Sequence, residues 1–124
     1  MSSILRYLTD SPRIAFTIEG RGLDVTREIR AHTQRTVSMS LARFIRHIRS
    51  IEILLEDVNG PRGGVDKRCR IDLYLKRGGR LTSSANSLDA AAAVTIAARR
   101  ARVLLQRRCQ KARSGRFAIH ERIL

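Results

Sequence analysis

The stretch K-R-C-R-I-D-L-Y-L-K-R-G-G-R-L-T-S-S-A-N-S, residues 67–87, decides the fold. Cys69, Ile71, Leu73 and Leu75 alternate with Arg68, Arg70, Asp72 and Tyr74, the period of a strand with one apolar face. Gly78-Gly79 breaks the run, and Arg80 to Ala85 returns with Leu81, Ser83 and Ala85 on the apolar side. Keeping Leu75 and Leu81 on one face needs an even residue sum across the turn. That predicts a three-residue loop, Arg77-Gly78-Gly79, with Gly79 left-handed.

Working upstream, Asn59-Gly60-Pro61-Arg62-Gly63-Gly64 is loop, and Ile48 to Asp57 alternates again. Ile51, Ile53 and Leu55 point inward, and Glu52, Leu54 and Glu56 outward. A symmetric hairpin centred near Arg62 sets Arg68 opposite Glu56 and Arg70 between Glu52 and Glu56, which predicts cross-strand ion pairs for both arginines. Earlier still, Arg13 to Glu19 reads as a strand with Ile14, Phe16 and Ile18 on one face, ended by Gly20-Arg21-Gly22. Thr26 is an N-cap candidate, with Glu28 in the first turn. Ile29, Thr33, Thr36, Val37, Ser40, Leu41 and Phe44 then fall at helical spacing, with Arg27, Arg30, Arg35, Arg43 and Arg46 largely off the stripe.

Downstream, Ser87 to about Arg113 predicts one long helix. Its core stripe is Ala91, Val94, Ala98, Ala101 and Leu105, broadened by Ala97 and Leu104, and its small side chains suit close packing on a sheet. Residues 1–12 read as an N-terminal extension, 13–113 as a single domain, and 114–124 as a tail without clear period. The order β-α-β-β-β-α predicts an α+β two-layer sandwich. Its four-stranded mixed sheet has a parallel, right-handed first pair and two helices on one face, a layout like that of double-stranded-RNA-binding domains.

Composition narrows the function. The 124 residues carry 25 Lys+Arg against 11 Asp+Glu, a formal net charge of +14. A chain of this size supports one core that buries roughly two thirds of its unfolded surface. At 43% hydrophobic it is no disordered basic tail, and two cysteines are too few for a disulfide scaffold and fit a reducing compartment. The longest apolar run, Ala90 to Ala98, is far short of the ~20 residues that span a membrane, and the N-terminus lacks the apolar core of a signal peptide. A cytoplasmic protein is expected. All but three of the basic residues (Lys67, Lys76, Lys111) are arginine, whose planar fork matches phosphate. A GC-rich genome would favour Arg over Lys with no functional motive, but it does not explain an excess of 14 positive charges. Nucleic acid is therefore the leading partner class, and an anionic membrane surface or an acidic protein the alternative.

Arg99, Arg100, Arg102, Arg107, Arg108, Lys111, Arg113 and Arg116 follow one another with no intervening acid, and most lie off the Ala/Leu stripe. Cations in the last helical turns also suit the helix dipole, but ordinary solvated faces mix both signs. Phe16 and Phe44 sit on inward stripes, so Tyr74 is the single exposed aromatic expected on the sheet, with Tyr7 and Phe117 elsewhere, too few for base-stacking readout. Backbone and shape recognition of structured RNA is expected instead. Nothing assembles a catalytic or metal site, and no cofactor is expected. His32, His47 and His120 have no Cys, Asp or Glu at ligand spacing. Cys69 reads as a core residue, and Cys109 has no base identifiable nearby. The Gly60–Gly64 loop has neither Walker A nor Rossmann spacing and reads as a hairpin tip that leaves Arg62 free for phosphate.

Three stretches together resemble the hibernation-promoting factor / ribosome-associated inhibitor A family, also labelled sigma-54 modulation proteins. They are Ile18-Glu19-Gly20-Arg21-Gly22-Leu23-Asp24-Val25-Thr26, Arg70-Ile71-Asp72-Leu73-Tyr74-Leu75, and the passage from Ala85 into the basic helix ending near Arg108. Asp57 to Cys69 looks like a branch with an extended loop between the second and third strands. Leu88-Asp89-Ala90-Ala91-Ala92-Ala93 stands where the family often has an acidic-aromatic run. The resemblance implies binding to the small ribosomal subunit where tRNA and mRNA would lie, silencing translation under stress. It also implies that a single-domain form would need a second factor for any ribosome dimerisation. The residues expected on rRNA are Arg27, Arg30, Arg62, Lys67, Arg77, Arg80, Arg99, Arg100, Arg102, Arg107, Arg108 and Lys111. A protein-interaction regulator acting through the exposed sheet, or a general double-stranded-RNA binder, is the alternative expectation.

Overall fold

Alternating Ile, Leu and Cys side chains draw four strands into one sheet, and two helices with small-residue stripes cover its apolar face. The computed structural model describes residues 14–59 and 66–123, with the side chains of the last helix described through Lys111. In chain order the elements are β1 (Ala15–Arg21), α1 (Arg27–Leu41), a 3₁₀ segment (Ala42–His47), β2 (Ile48–Asp57), β3 (Lys67–Leu75), β4 (Arg80–Ser87) and α2 (Ala90–Ile123). The sheet order is β1-β2-β3-β4, with β1 parallel to β2 and the remaining pairs antiparallel. This is the two-layer α+β sandwich that the alternation predicts.

The core collects the inward faces of all four strands. Ile51, Leu55, Cys69, Ile71 and Leu73 are fully buried beneath Val37 and Leu41 of α1 and Val94, Ala97 and Leu105 of α2. Thr26 caps α1, its hydroxyl accepting from the Ile29 N–H at 3.2 Å, with Glu28 in the first turn. The α-helix stops at Leu41. Ile45 is buried in the 3₁₀ segment, and Phe44 packs half-buried against the core.

Several boundaries differ from those the sequence predicts. β1 runs two residues past Glu19, and Gly22, with φ +74°, makes the break. α2 begins at Ala90 rather than Ser87, because Asp89 supplies the cap: its carboxylate accepts the Ala92 N–H at 2.7 Å and its carbonyl the Ala93 N–H at 3.2 Å. Ser87 instead ends β4 opposite Lys67. The α2 backbone stays helical to Ile123, past Arg113 where the apolar periodicity ends. Ala93 rather than Ala91 joins the fully buried stripe, and Ser38 joins that of α1. The β3–β4 turn has the predicted even sum, but the register Tyr74↔Arg80 and the Leu75 N–H bond to the Gly79 carbonyl (3.1 Å) make the loop Lys76-Arg77-Gly78. Gly78 and Gly79 both have positive φ, 88° and 97°.

Gly20 is required for space rather than for φ. A Cβ there would come within 2.5 Å of the Leu23 carbonyl oxygen and 2.8 Å of Val25 Cγ2, where the chain doubles back towards α1. Gly20→Ala is expected to destabilise the fold by about 1–3 kcal/mol through this overpacking, read as a lower urea midpoint with an unchanged slope.

Candidate nucleic-acid interface

Topology gathers the charge. β2 and β4 run in the same direction and both helices return against them, so α1 and α2 lie parallel. His32 meets the Ala91 carbonyl at 3.3 Å, and the Ser40 hydroxyl donates to the Ala98 carbonyl at 3.0 Å. Both helices therefore start at the end of the sheet where β2 leads into β3, and both run towards the β3–β4 turn. At that turn the Lys76 N–H donates to the His47 carbonyl at 3.0 Å, joining the turn to the end of the 3₁₀ segment. From the other side the Arg108 guanidinium reaches over Gly79, so close that a Cβ there would sit 2.8 Å from it. One end of the molecule thus brings together Arg46, Arg49, Lys76, Arg77, Arg80 and Arg108, all exposed. Neither the 42–51 segment, nor the 76–81 turn, nor α2 from Ala90 to Lys111 contains an acid. Arg46, in the last turn of the 3₁₀ segment, also suits the negative pole of that helix end.

The acids sit elsewhere. Asp57 and Asp66 lie at the opposite end with Lys67, whose ammonium is 3.3 Å from Asp57 and 3.0 Å from Asp66. The hydrogen bond to Asp66, with Asp57 adding to it, holds the Lys67 pKa above the ordinary lysine value against the pull of desolvation. Glu28 and Asp89 sit at the two helix starts. Glu19, Glu52, Glu56 and Asp72 lie on the outer sheet face. There Arg68 faces Glu56 at 3.9 Å, the cross-strand pair that the hairpin symmetry predicts. Arg70 sits between Glu52 and Glu56, opposite Leu54, as the symmetry predicts, but its guanidinium pairs with Asp72 on its own strand at 3.2 Å instead of with either glutamate across the strands. Tyr74 spends its hydroxyl on Glu52 at 3.2 Å. A shallow depression of about 370 Å³ on this face is lined by residues of both signs.

The twelve cations expected on RNA therefore divide. Arg77, Arg80, Arg107, Arg108 and Lys111 are exposed at or near the turn end, and Arg99, Arg100 and Arg102 are exposed further up α2. Arg100 also donates to the Ser84 carbonyl at 2.7 Å. Arg27 and Arg30 are exposed at the start of α1, at the other end of the sheet. Lys67 lies at that end too, engaged by two carboxylates, and Arg62 lies outside the described residues, as do Tyr7 and the Phe117 side chain. Sequence reasoning left out Lys76, Arg46 and Arg49. The signal was present, since residues 27–51 hold six arginines and one glutamate. The pairing of the 3₁₀ segment with the β3–β4 turn is what makes them part of the same surface.

The cysteines have separate environments. Cys69 is fully buried in β3, and burial pushes its thiol up to about 12, whereas Cys109 is only partly buried. At about pH 8 the native protein is expected to react with a thiol reagent at Cys109 alone, the second thiol appearing only on denaturation. Among the described residues no group of His, Cys, Asp and Glu is placed to hold a metal, and no helix is long and apolar enough to cross a membrane.

Two solved structures share this architecture. The crystal structure of the Thermus thermophilus Protein Y N-terminal domain aligns with a TM-score of 0.62 at 20% identity, over 75% of this chain and 96% of that one. A ribosomal subunit interface protein from Coxiella burnetii aligns at 0.66 and 17%, over 77% and 98%. A search of curated protein sequences gave no significant match. Residues 16–113, from β1 to the basic turns of α2, match the model of one family, and the chain belongs to it: the sigma 54 modulation protein / S30EA ribosomal protein family.

Proposed function

We propose that this protein is a ribosome-associated translation inhibitor of the hibernation type. It binds the small subunit at the tRNA and mRNA sites through rRNA phosphates and acts in the cytoplasm as a binding protein rather than an enzyme. The observation that carries this reading is the acid-free cationic surface of α2, continued onto the β3–β4 turn and the 3₁₀ segment. Family membership supports a ribosomal partner, as do the names of the two structural neighbours. Phosphate contact fits the surface better than base readout, because among the described residues the outer sheet face presents a single aromatic ring, Tyr74, whose hydroxyl is already engaged.

The test is cosedimentation with separated small and large subunits. Binding to the small subunit is expected, with log Kd rising against log salt at a slope of about 4–6, as for roughly six phosphates. Protein that stays at the top of the gradient at physiological salt refutes the reading. Equal affinity for any RNA duplex would make it a general double-stranded-RNA binder. Binding to a purified protein that survives nuclease and charge reversal on α2 would make it a protein-interaction regulator.

A further inference from the structure

β4 is an edge strand, and its open side adjoins a groove whose strand edge and apolar floor the ribosome reading leaves unused. The Leu75–Gly79 hydrogen bond and the β3–β4 register fix which backbone groups face out. In an antiparallel ladder bonded pairs alternate, so Leu73↔Leu81, Ile71↔Ser83 and Cys69↔Ala85 are bonded pairs. Thr82, Ser84 and Asn86 therefore turn their N–H and C=O groups away from β3. The Arg100 guanidinium sits on the outward Ser84 carbonyl at 2.7 Å, which agrees with this assignment. Beside the edge, α2 and β4 enclose a groove of about 470 Å³. Its floor is Val103 and Leu104, both half-buried, and its rim is Arg99, Arg100 and Arg107, with no acid among the lining residues.

The geometry points to this groove as the docking site for an extended acidic peptide segment of a partner protein, added to β4 as a fifth strand. The peptide N–H replaces the guanidinium on the Ser84 carbonyl, and the outward Thr82 and Ser84 N–H groups donate to the peptide. On the side of the added strand that faces α2, an apolar side chain settles on Val103 and Leu104, and carboxylates two residues before and after it meet Arg99, Arg100 and Arg107, because alternate residues share a face. Charge complementarity selects this occupant. A second copy would bring an identical three-arginine rim against the first on a chain of net charge +14. A nucleic-acid strand would satisfy the arginines but leave the strand edge and apolar floor unused.

The probe is an acetylated, fluorescein-labelled peptide of about eight residues whose every second position alternates glutamate and valine, with serine between, read by anisotropy on the full chain. Saturable binding is expected. Ser84→Pro removes the edge N–H without changing charge, at a position where an edge strand accepts proline. It is expected to weaken peptide binding at least tenfold and to leave cosedimentation with the small subunit unchanged. Val103→Gln, which removes the apolar floor and keeps the charge, should act the same way, so a folding defect in one variant does not decide the outcome. Several results would overturn the proposal: no binding by the wild type, equal affinity for a glutamate peptide without valine, or unchanged affinity in both variants. An RNA oligonucleotide bound in the groove while the peptide is not would also do so. So would a concentration-dependent dimer abolished by Ser84→Pro, which would assign the edge to a second copy. Failure at any of these points leaves the ribosome result untouched, since both variants keep every cation of the α2 surface.

Discussion

Reversing Arg77 and Arg108 together, Arg77→Glu with Arg108→Glu, is expected to weaken small-subunit binding by about 10³-fold. Each lost charge-assisted contact to phosphate accounts for about 1.5–3 kcal/mol, and the introduced carboxylates repel the backbone as well. The two residues lie 31 positions apart in sequence but meet at one end of the sheet, where Arg108 reaches over Gly79. The matched control is Arg27→Glu with Arg30→Glu, which changes net charge equally but lies at the opposite end, beside Glu28. That pair should cost only about tenfold through the long-range field, and less at high salt. Sedimentation titrations at two salt concentrations measure both. Equal losses would mean that overall charge drives binding rather than the surface at the turn.

Ala97→Leu is expected to destabilise the fold by about 3 kcal/mol, a fall in Tm of roughly 10–15 °C for a domain of this size. Ala97 is fully buried where α2 crosses the sheet, and its carbonyl accepts the Ser83 hydroxyl at 2.9 Å. One residue on, the Ala98 carbonyl accepts the Ser40 hydroxyl at 3.0 Å. Small side chains bring the helix backbone close enough for hydroxyls on β4 and α1 to bond to its carbonyls. A leucine would push the helix away and break the Ser83 contact along with the packing. Thr95→Leu, on the exposed face of the same turn, should stay within about 0.5 kcal/mol of wild type. Denaturant melts of the two variants separate overpacking from a general effect of adding leucine to the helix.

Much of the fold was legible because strand alternation is a local signal. Ile51, Ile53, Leu55, Cys69, Ile71 and Leu73 could be assigned to the core from period alone, and the burial of each agrees. The symmetric hairpin about Arg62 was also readable, and with it the Arg68–Glu56 pair. Legibility fell where two local choices compete. Ser87 and Asp89 can both cap a helix, and the pairing of Ser87 with Lys67 in the sheet decides between them. Two adjacent glycines can both take positive φ, so the one-residue placement of the β3–β4 loop was set by the ladder rather than by the turn.

The amino-acid sequence by itself determined the β-α-β-β-β-α order, the apolar faces, the buried Cys69 and the acid-free run from Arg99 to Lys111, because each depends on neighbours within a few residues. Only the tertiary structure decided how the +14 charge is laid out. Chain reversal at each loop carries Arg46, Arg49, Lys76, Arg77 and Arg108 to one end, while it sets Lys67 between Asp57 and Asp66 at the other. Charge acts through space with a range of about 8–10 Å at ordinary salt, so a cation's role follows from what the fold brings within that distance, which no sequence period encodes.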